Sequence, residues 1–221
     1  KLGNRVVLEA LDHVDLRIAS IQGGGLRNAI PRESKTTLVC AQEDLAALES
    51  ALTESCDTLN AEYATTDPDL TVEWTSVALP SHVMGEEDQY ALLLAIQTCP
   101  VGIHRMSPDI AGLVQTSNNL ARVDVKDGQV EIQCLNRSSV DSEKDDHARS
   151  IEAAFALAGL QTERSGSYPG WTPNPSSEAV AMCRDLYEER YNEAPRVLAC
   201  HAGLECGILG TNYPEMDMVS F

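Results

Sequence analysis

The chain of 221 residues carries 16 Lys and Arg against 34 Asp and Glu, a formal net charge of -18. This acidic balance argues against a nucleic-acid or anionic-membrane surface, because both are bound through Lys and Arg patches that release counterions. Hydrophobic residues make up 43% and charged residues 23%, which is typical of globular rather than disordered proteins. No apolar run approaches the roughly 18 residues of a membrane helix. The length allows one domain or two small ones.

The seven cysteines form no disulfide framework in the sequence. Their number is odd and their spacing shows no pairs, so we expect thiols in a reducing compartment. Most of them are expected to be small buried apolar residues.

The first half of the chain alternates helices and strands. The segment at 42–66 is the clearest helix, because its leucines recur every three or four residues and Asp67-Pro68 ends it. At 14–18, apolar and polar residues alternate as in a half-buried strand. The elements predicted here are a helix at 5–11, strands at 14–18 and 36–41, a helix at 42–66, a strand at 71–79 and a helix at 86–98.

The second half begins with an antiparallel strand pair at 113–139. Asp127-Gly128 lies between two alternating runs, and this dipeptide favours a tight hairpin because both turn residues need positive φ. The remaining predicted elements are a helix from Asp141 or Ser142 to Gly159, a strand at 160–163, a helix from Ser176 or Ser177, and strands at 197–200 and 216–221.

The element order predicts an α+β two-layer sandwich, because hairpins and amphipathic helices pack as two layers. Two Gly and three Pro at 165–175 mark a boundary rather than an element interior. The part after this boundary is interpreted as a segment of an α/β domain. A helix beginning at Lys1 without a cap and an apolar strand ending at Phe221 suggest a piece of a longer protein.

Arg137 is the first candidate functional residue. If Val130, Ile132 and Cys134 face the core, strand alternation places Arg137 on the opposite, open face. A guanidinium there can hold a carboxylate in a two-pronged contact. The alternative is an ordinary solvated surface arginine.

The loop at 23–31 is the second candidate. Its three glycines allow backbone to approach a ligand closely, Pro31 restricts the turn, and Asn28 offers two donors and an acceptor. The pattern matches neither a dinucleotide nor a phosphate loop. The alternative is a plain connection between two strands.

The segment Cys200-His201-Ala202-Gly203-Leu204-Glu205-Cys206 is the third candidate. Its side chains invite a zinc hypothesis, but five residues separate the cysteines and no second cluster exists. A pocket edge after a strand fits better, and a plain strand–helix turn remains open.

Six motifs together resemble one known family. In chain order they are 23–33 (GGGLRNAIPRE), 116–119 (TSNN), 134–138 (CLNRS), 168–171 (YPGW), 201–207 (HAGLECG) and 213–220 (YPEMDMVS). They resemble the aminoacyl-histidine (Xaa-His) dipeptidases, a bacterial branch of the dinuclear zinc metallopeptidases that also include carnosinases and glutamate carboxypeptidase. The resemblance spans nearly the whole chain.

This resemblance implies a cytoplasmic metallo-dipeptidase that hydrolyses Xaa-His and other dipeptides, including the β-alanyl-histidine type. In the family, an α/β catalytic domain binds two Zn²⁺ or other divalent ions, and an inserted α+β lid often mediates dimerisation. Residues 1–166 match the lid, and residues 167–221 match the truncated C-terminal part of the catalytic domain. The family's metal ligands and glutamate base have no counterpart here. We therefore expect a fragment that binds no metal and is inactive alone, from an enzyme that forms a homodimer.

The resemblance also gives the candidates roles. Arg137 matches the lid arginine that grips the free carboxylate of the substrate, and Asn28 matches the lid asparagine near the scissile bond. Asn119 is expected to assist. Glu205 is expected to meet the amino end of the substrate, and Gly203 to let that loop come close. His104 has no counterpart and receives no role.

Two alternatives to the enzyme remain at this point. The chain could be a non-catalytic binding or dimerisation module derived from such a lid. It could also be a small zinc-binding module around Cys200 and Cys206.

Overall fold

The computed structural model describes residues 1–199 and 205–221. These residues form six α-helices and five strands, with a short 3-10 turn at Gln42–Asp44 before the second helix. In chain order they are α1 (Leu2–Leu11), β1 (Leu16–Gly24), β2 (Ser34–Cys40), α2 (Leu45–Tyr63), α3 (Glu86–Thr98), β3 (Gly102–Met106), β4 (Val114–Lys126), β5 (Gln129–Ser138), α4 (Asp141–Ala156), α5 (Glu178–Tyr191) and α6 (Glu205–Asn212).

The strands form one antiparallel arrangement. They are hydrogen-bonded in the order β2-β1-β4-β3, and β5 pairs with β4. The β4–β5 connection confirms the predicted hairpin, because Asp127 and Gly128 have φ of 52° and 74°, the left-handed values that such a turn requires.

The chain divides into two compact units that interleave along the sequence. The first comprises Lys1–Cys99, Leu120–Cys134 and Ala153–Gln161, and the second comprises Pro100–Asn119, Leu135–Glu152 and Thr162–Phe221. The boundary predicted at residue 166 separates a lid from a segment of a catalytic domain. The two compact units do not test this functional division, which stays a prediction.

The first unit has an apolar core between helices and strands. α1 contacts α2, α3 and β2, and α3 contacts β1. The predicted stripe on α2 is confirmed, since Leu48, Leu52 and Leu59 are buried, although Leu45 is 38% exposed. Burying such leucines stabilises the fold by about 2 kcal/mol each.

A buried amide joins α3 to β1 in this unit. The Gln89 side chain is 1% exposed. Its Nε2 donates to the Leu16 carbonyl at 2.9 Å, and its Oε1 accepts from the Ile18 amide at 2.9 Å. These two bonds satisfy backbone groups where the β1–β2 register shifts, between Ile18 and Ser20.

The buried residues in the described part of the second unit are mostly polar. Only a few apolar side chains are buried there, among them Leu113 and Ile151. Buried polar groups require hydrogen-bond partners, so hydrogen bonds between side chains hold much of this unit together. The buried polar residues are Gln115, Thr116, Asn118, Ser138, Ser139, His147 and Ser177.

Several predicted strands are wrong. Residues 71–79, 160–163, 197–199 and 216–221 form no strand, and residue 200 lies outside the described residues. A strand needs a hydrogen-bonding partner as well as a pattern. In the segment at 71–79, the side chains of Val77 and Leu79 are 66% and 82% exposed.

The prediction from the sequence also missed one strand, β3. β3 pairs antiparallel with β4, yet all five of its residues are exposed. An edge strand that buries neither face has no period-two pattern to reveal it.

The described helices include none that is both long and apolar enough to span a bilayer.

Candidate functional site

The orientation of Arg137 follows from its two neighbours on β5. Asn136 Nδ2 donates to the Lys144 carbonyl of α4 at 2.7 Å. Ser138 is 3% exposed, and its hydroxyl lies 2.8 Å from that of Thr116. Because successive side chains of a strand point to opposite faces, Arg137 points away from the face that Asn136 and Ser138 occupy. This agrees with the face predicted from strand alternation.

The backbone just after Arg137 is held by several hydrogen bonds. The Ser139 amide donates to the Gln115 carbonyl at 3.1 Å, and the Thr172 hydroxyl donates to the Ser139 carbonyl at 3.0 Å. Ser138 Oγ also accepts from the Val140 amide at 3.1 Å. The strand end that carries Arg137 is therefore fixed, and a group bound by its side chain would be held on a rigid element.

Glu143 organises the polar network on the α4 side of this strand. Its Oε2 accepts from Gln115 Nε2 and from the Thr116 hydroxyl, each at 2.7 Å, and Arg105 pairs with its Oε1. Burial raises the pKa of Glu143, but these two hydrogen bonds and the charges of Arg105 and His104 outweigh burial and leave the pKa below its usual value. The carboxylate is therefore ionised at neutral pH.

Close backbone approaches connect the end of β5 to the start of α6. A Cβ on Gly170 would lie 2.5 Å from the Ser139 carbonyl oxygen, and a Cβ on Gly207 would lie 2.9 Å from that of Pro169. Both distances are too short for a side chain, so glycine is required at both positions. Glu205, which is exposed, is the first residue of α6.

Asn28 belongs to the first unit. It lies in the exposed connection between β1 and β2, within a turn in which the Ala29 amide donates to the Leu26 carbonyl at 3.0 Å. The side chains of Leu26 and Ile30 beside it are 73% and 82% exposed. The loop connects two strands, as predicted, and the Asn28 side chain is accessible; whether this loop binds a ligand stays a prediction.

The remaining predicted site residues divide between the second unit and the undescribed segment. Asn119 is half-buried on β4, the strand that pairs with β5. The second unit thus contains Asn119, Arg137 and Glu205, whereas Asn28 is in the first. Gly203 lies outside the described residues.

Arg137 differs from the other half-buried arginines in its partners. Its guanidinium makes neither a hydrogen bond nor an ion pair with the residues that the structure describes. The other half-buried arginines pair with carboxylates at N–O distances of 2.6 to 2.9 Å: Arg5 with Glu62, Arg17 with Glu86 and Arg122 with Asp124.

Sequence reasoning missed the burial of His147. Its acidic neighbours Asp145 and Asp146 suggest a residue at the surface or the edge of the core, but the side chain is 1% exposed and its ring stacks on that of His104 at 4.2 Å. Its spacing of four residues from buried Ile151 is the signal that could have placed it on the inner stripe of α4.

The described residues also show whether this part of the chain could hold a metal ion. Residues 1–199 and 205–221 include no group of three or more His, Cys, Asp or Glu arranged to hold a metal ion. The described residues therefore do not fit a dinuclear zinc centre. Of the proposed zinc module, Cys200 and His201 lie outside them, and Cys206 is a buried free thiol.

Comparison with known proteins finds relatives among the dipeptidases, although no family model matches the chain. The chain is 36% identical over 220 residues to the cytosol non-specific dipeptidase of Escherichia coli strain K12, covering 100% of this chain and 45% of that protein. The crystal structure of aminoacylhistidine dipeptidase from Vibrio alginolyticus matches with a TM-score of 0.94 at 37% identity, covering 100% of this chain and 45% of that one.

The chain is homologous to both dipeptidases along its length, so the resemblance predicted from the six motifs is confirmed. Its α-helices and antiparallel sheet match part of the solved dipeptidase structure. The chain spans less than half the length of either relative.

Proposed function

We propose that this chain, as a homologue of the two dipeptidases, is part of a cytoplasmic metallo-dipeptidase that hydrolyses Xaa-His and other dipeptides, including the β-alanyl-histidine type. Residues 1–166 would act as the lid and residues 167–221 as part of the catalytic domain. Support comes from the identity of 36–37% along the whole chain. The enzyme would form a homodimer, and the chain alone would be inactive.

The observation that carries this proposal is the unpaired guanidinium of Arg137. In a chain with 34 Asp and Glu, a half-buried arginine with no carboxylate partner among the described residues is unusual. A dipeptide has a free C-terminal carboxylate, and a guanidinium binds that group with two parallel hydrogen bonds. Arg137 would therefore hold the substrate carboxylate and select dipeptides by their free end.

The other candidates would complete the contacts with the dipeptide. The accessible amide of Asn28 would reach the substrate near the scissile bond, with Asn119 assisting. Glu205 would meet the substrate's positively charged amino end. Gly203 would allow the neighbouring backbone to come close.

The metal centre is proposed for a part of the enzyme that this chain does not contain. Two Zn²⁺ or other divalent ions are expected in the whole enzyme, but the described residues supply no ligand set for them. The contribution of this chain would be to bind and orient the dipeptide and to exclude water from the reaction.

Kinetics of Arg137 variants in the full-length protein test the proposal. Arg137→Ala is expected to lower kcat/KM for a free dipeptide by about 100-fold or more, the effect of losing one partner of a desolvated charge pair. On the carboxyl-amide of the same dipeptide, the loss should be small. Arg137→Lys should recover only part of the activity, because lysine lacks the two-pronged geometry.

Arg149→Ala is the matched control, because Arg149 is an exposed arginine on α4. It should leave kcat/KM unchanged. Equal losses of kcat/KM in Arg137→Ala on the free dipeptide and on its amide would show that Arg137 does not bind the carboxylate. Absence of metal-dependent hydrolysis by the full-length protein would instead favour a non-catalytic binding module.

A further inference from the structure

A buried chain of hydroxyl groups connects Glu143 on α4 to the residue after Arg137. Thr116 is 0% exposed and Ser138 is 3% exposed. The Thr116 hydroxyl donates to Glu143 Oε2 at 2.7 Å. Its one proton is therefore used, and its oxygen accepts the proton of the Ser138 hydroxyl, 2.8 Å away. Ser138 Oγ in turn accepts from the Val140 amide at 3.1 Å, so all these bonds run in one direction and end on the carboxylate.

A second connection from Glu143 reaches the next residue of β5's end. Gln115 Nε2 donates to Glu143 Oε2 at 2.7 Å, and the Gln115 carbonyl accepts from the Ser139 amide at 3.1 Å. Both connections begin at one carboxylate oxygen, and they end on the two residues that follow Arg137. This carboxylate therefore joins α4 and β4 to the end of β5.

The charge of Glu143 strengthens both connections. Hydrogen bonds that end on an ionised group are stronger than neutral ones, and bonds in a chain polarise one another. Arg105 of β3 pairs with Oε1, so that Oε2 is left for Thr116 and Gln115. Without the carboxylate, these two buried donors would lose their acceptor, and β4 or β5 would have to shift to provide another one.

The guanidinium of Arg137 is positioned through this part of the backbone. It makes no hydrogen bond or ion pair with the described residues, so the course of β5 decides where it lies. Glu143 contacts the network on the Ser138 face of this strand, opposite the face of Arg137. Displacing a group that positions a substrate by about 1 Å can lower activity by about 100-fold. Loss of the two connections would therefore move Arg137 relative to the group that it holds.

We propose that Glu143 is a positioning residue for the substrate carboxylate. Through Thr116 and Gln115 it sets where Arg137 holds that group, without touching the substrate itself. This inference rests on the proposed function, from which it takes the contact between Arg137 and the carboxylate of a dipeptide. The six motifs that resemble the dipeptidases include Thr116 and Ser138 but not Glu143, so the resemblance gives Glu143 no role.

Steady-state kinetics of the full-length protein test this role, with β-alanyl-histidine and its carboxyl-amide as the two substrates. Glu143→Ala is expected to raise KM for the free dipeptide by about 10-fold with kcat nearly unchanged, because the carboxylate is bound alike in the ground state and the transition state. KM for the amide should change little. Glu143→Gln, which keeps an oxygen acceptor without the charge, should raise KM by less. Asp146→Ala, which removes an exposed carboxylate of α4, is the matched control and should leave both constants unchanged.

A double-mutant cycle separates positioning from a general loss of structure. In an Arg137→Ala background, Glu143→Ala should cause no further loss on the free dipeptide, because the group that it positions is gone. Thr116→Val keeps the shape of the side chain but removes one of the two connections. It should raise the same KM by a smaller factor, and it tests the role even if Glu143→Ala fails to fold.

The inference is overturned if Glu143→Ala raises KM equally for the free dipeptide and the amide, or if its effect persists in the Arg137→Ala background. It is also overturned if Thr116→Val leaves KM for the free dipeptide unchanged. In these cases the proposed function stands, provided that Arg137→Ala alone still distinguishes the two substrates. Equal losses on both substrates in Arg137→Ala would instead refute the proposed role of Arg137, and this inference with it.

Discussion

Gly24, at the end of β1, shows how strictly one position can restrict its residue. Its φ is 74°, and a Cβ there would lie 1.9 Å from the Ala121 carbonyl oxygen of β4. A substitution meets both a left-handed backbone and a backbone atom that cannot move without separating the strands. The first unit therefore depends on glycine at this position.

Gly24→Ala is predicted to lower the free energy of unfolding by about 2 kcal/mol or more, from backbone strain and steric overlap together. Gly25→Ala is the matched control, because a Cβ at Gly25 would meet no atom within 4 Å, and it should change stability by less than about 0.5 kcal/mol. Urea unfolding measures both. Equal effects at the two positions would contradict this account of Gly24.

A single residue, His147, makes the free energy of unfolding depend on pH. Burial and the neighbouring His104 lower the pKa of His147, while Asp146 and Glu143 oppose the change. Neither ring nitrogen has a hydrogen-bond partner among the described residues. Below the unfolded pKa of about 6.5, the unfolded chain therefore binds more protons than the folded one. Stability is lost as the pH falls from about 7 towards the folded pKa.

His147→Phe is predicted to flatten the stability curve between about pH 7 and pH 5, by at most about 1.4 kcal/mol per pH unit, the linkage of one proton. Phenylalanine keeps a ring against His104 but cannot titrate. Urea unfolding across this range measures the slope, and exposed His82→Ala is the control. An unchanged slope in His147→Phe would show that His147 does not carry the dependence.

At the scale of elements, α5 shows how local chemistry sets a helix start. The sequence allowed Ser176 or Ser177 as the cap, and the structure assigns the cap to Ser177, whose hydroxyl accepts from the Val180 amide at 3.1 Å. Asp217 accepts from the Ala179 amide at 2.8 Å, and this bond first among several lowers the pKa of Asp217. The first turn of α5 is therefore capped from two directions.

Ser177→Ala is predicted to lower the free energy of unfolding by about 1 kcal/mol, the usual effect of removing a helix cap. Exposed Ser176→Ala is the matched control one residue earlier, and it should be close to neutral. Thermal unfolding compares the two variants. A larger loss of stability in Ser176→Ala than in Ser177→Ala would show that Ser176, not Ser177, caps α5.

At the scale of the whole molecule, charge is the dominant feature. With a net charge of -18, acidic side chains repel one another in any compact state. Salt screens charges over about 10 Å at 0.1 M, and it weakens both this repulsion and the surface ion pairs. Exposed ion pairs contribute about 0–1 kcal/mol each, so the relief of repulsion is expected to be the larger effect.

The thermal midpoint of this chain is accordingly predicted to rise by several degrees between low salt and about 0.2 M NaCl, where the Debye length is short. An equal osmolarity of a neutral solute serves as the control. A midpoint that falls with salt would show that the ion pairs, among them Arg5–Glu62 and Arg17–Glu86, outweigh the repulsion.

About half of the strand assignments and most of the helices could be predicted from the sequence, because they depend on local patterns. The leucine stripe of α2 and the Asp127-Gly128 turn are examples. The strands predicted at 71–79 and 216–221 failed because a pattern does not supply a partner, and β3 was missed because it buries neither face.

For the candidate site, alternation along β5 sufficed to predict the face of Arg137, since side chains alternate whatever the fold. The sequence by itself thus determined the acidic charge, the hairpin turn, the helical stripes and the orientation of this arginine. Only the tertiary structure decided that Arg137 lacks a carboxylate partner among the described residues and that the ring of His147 stacks on that of His104. Each of these facts depends on which distant segments pack together, and no local pattern of residues encodes that choice.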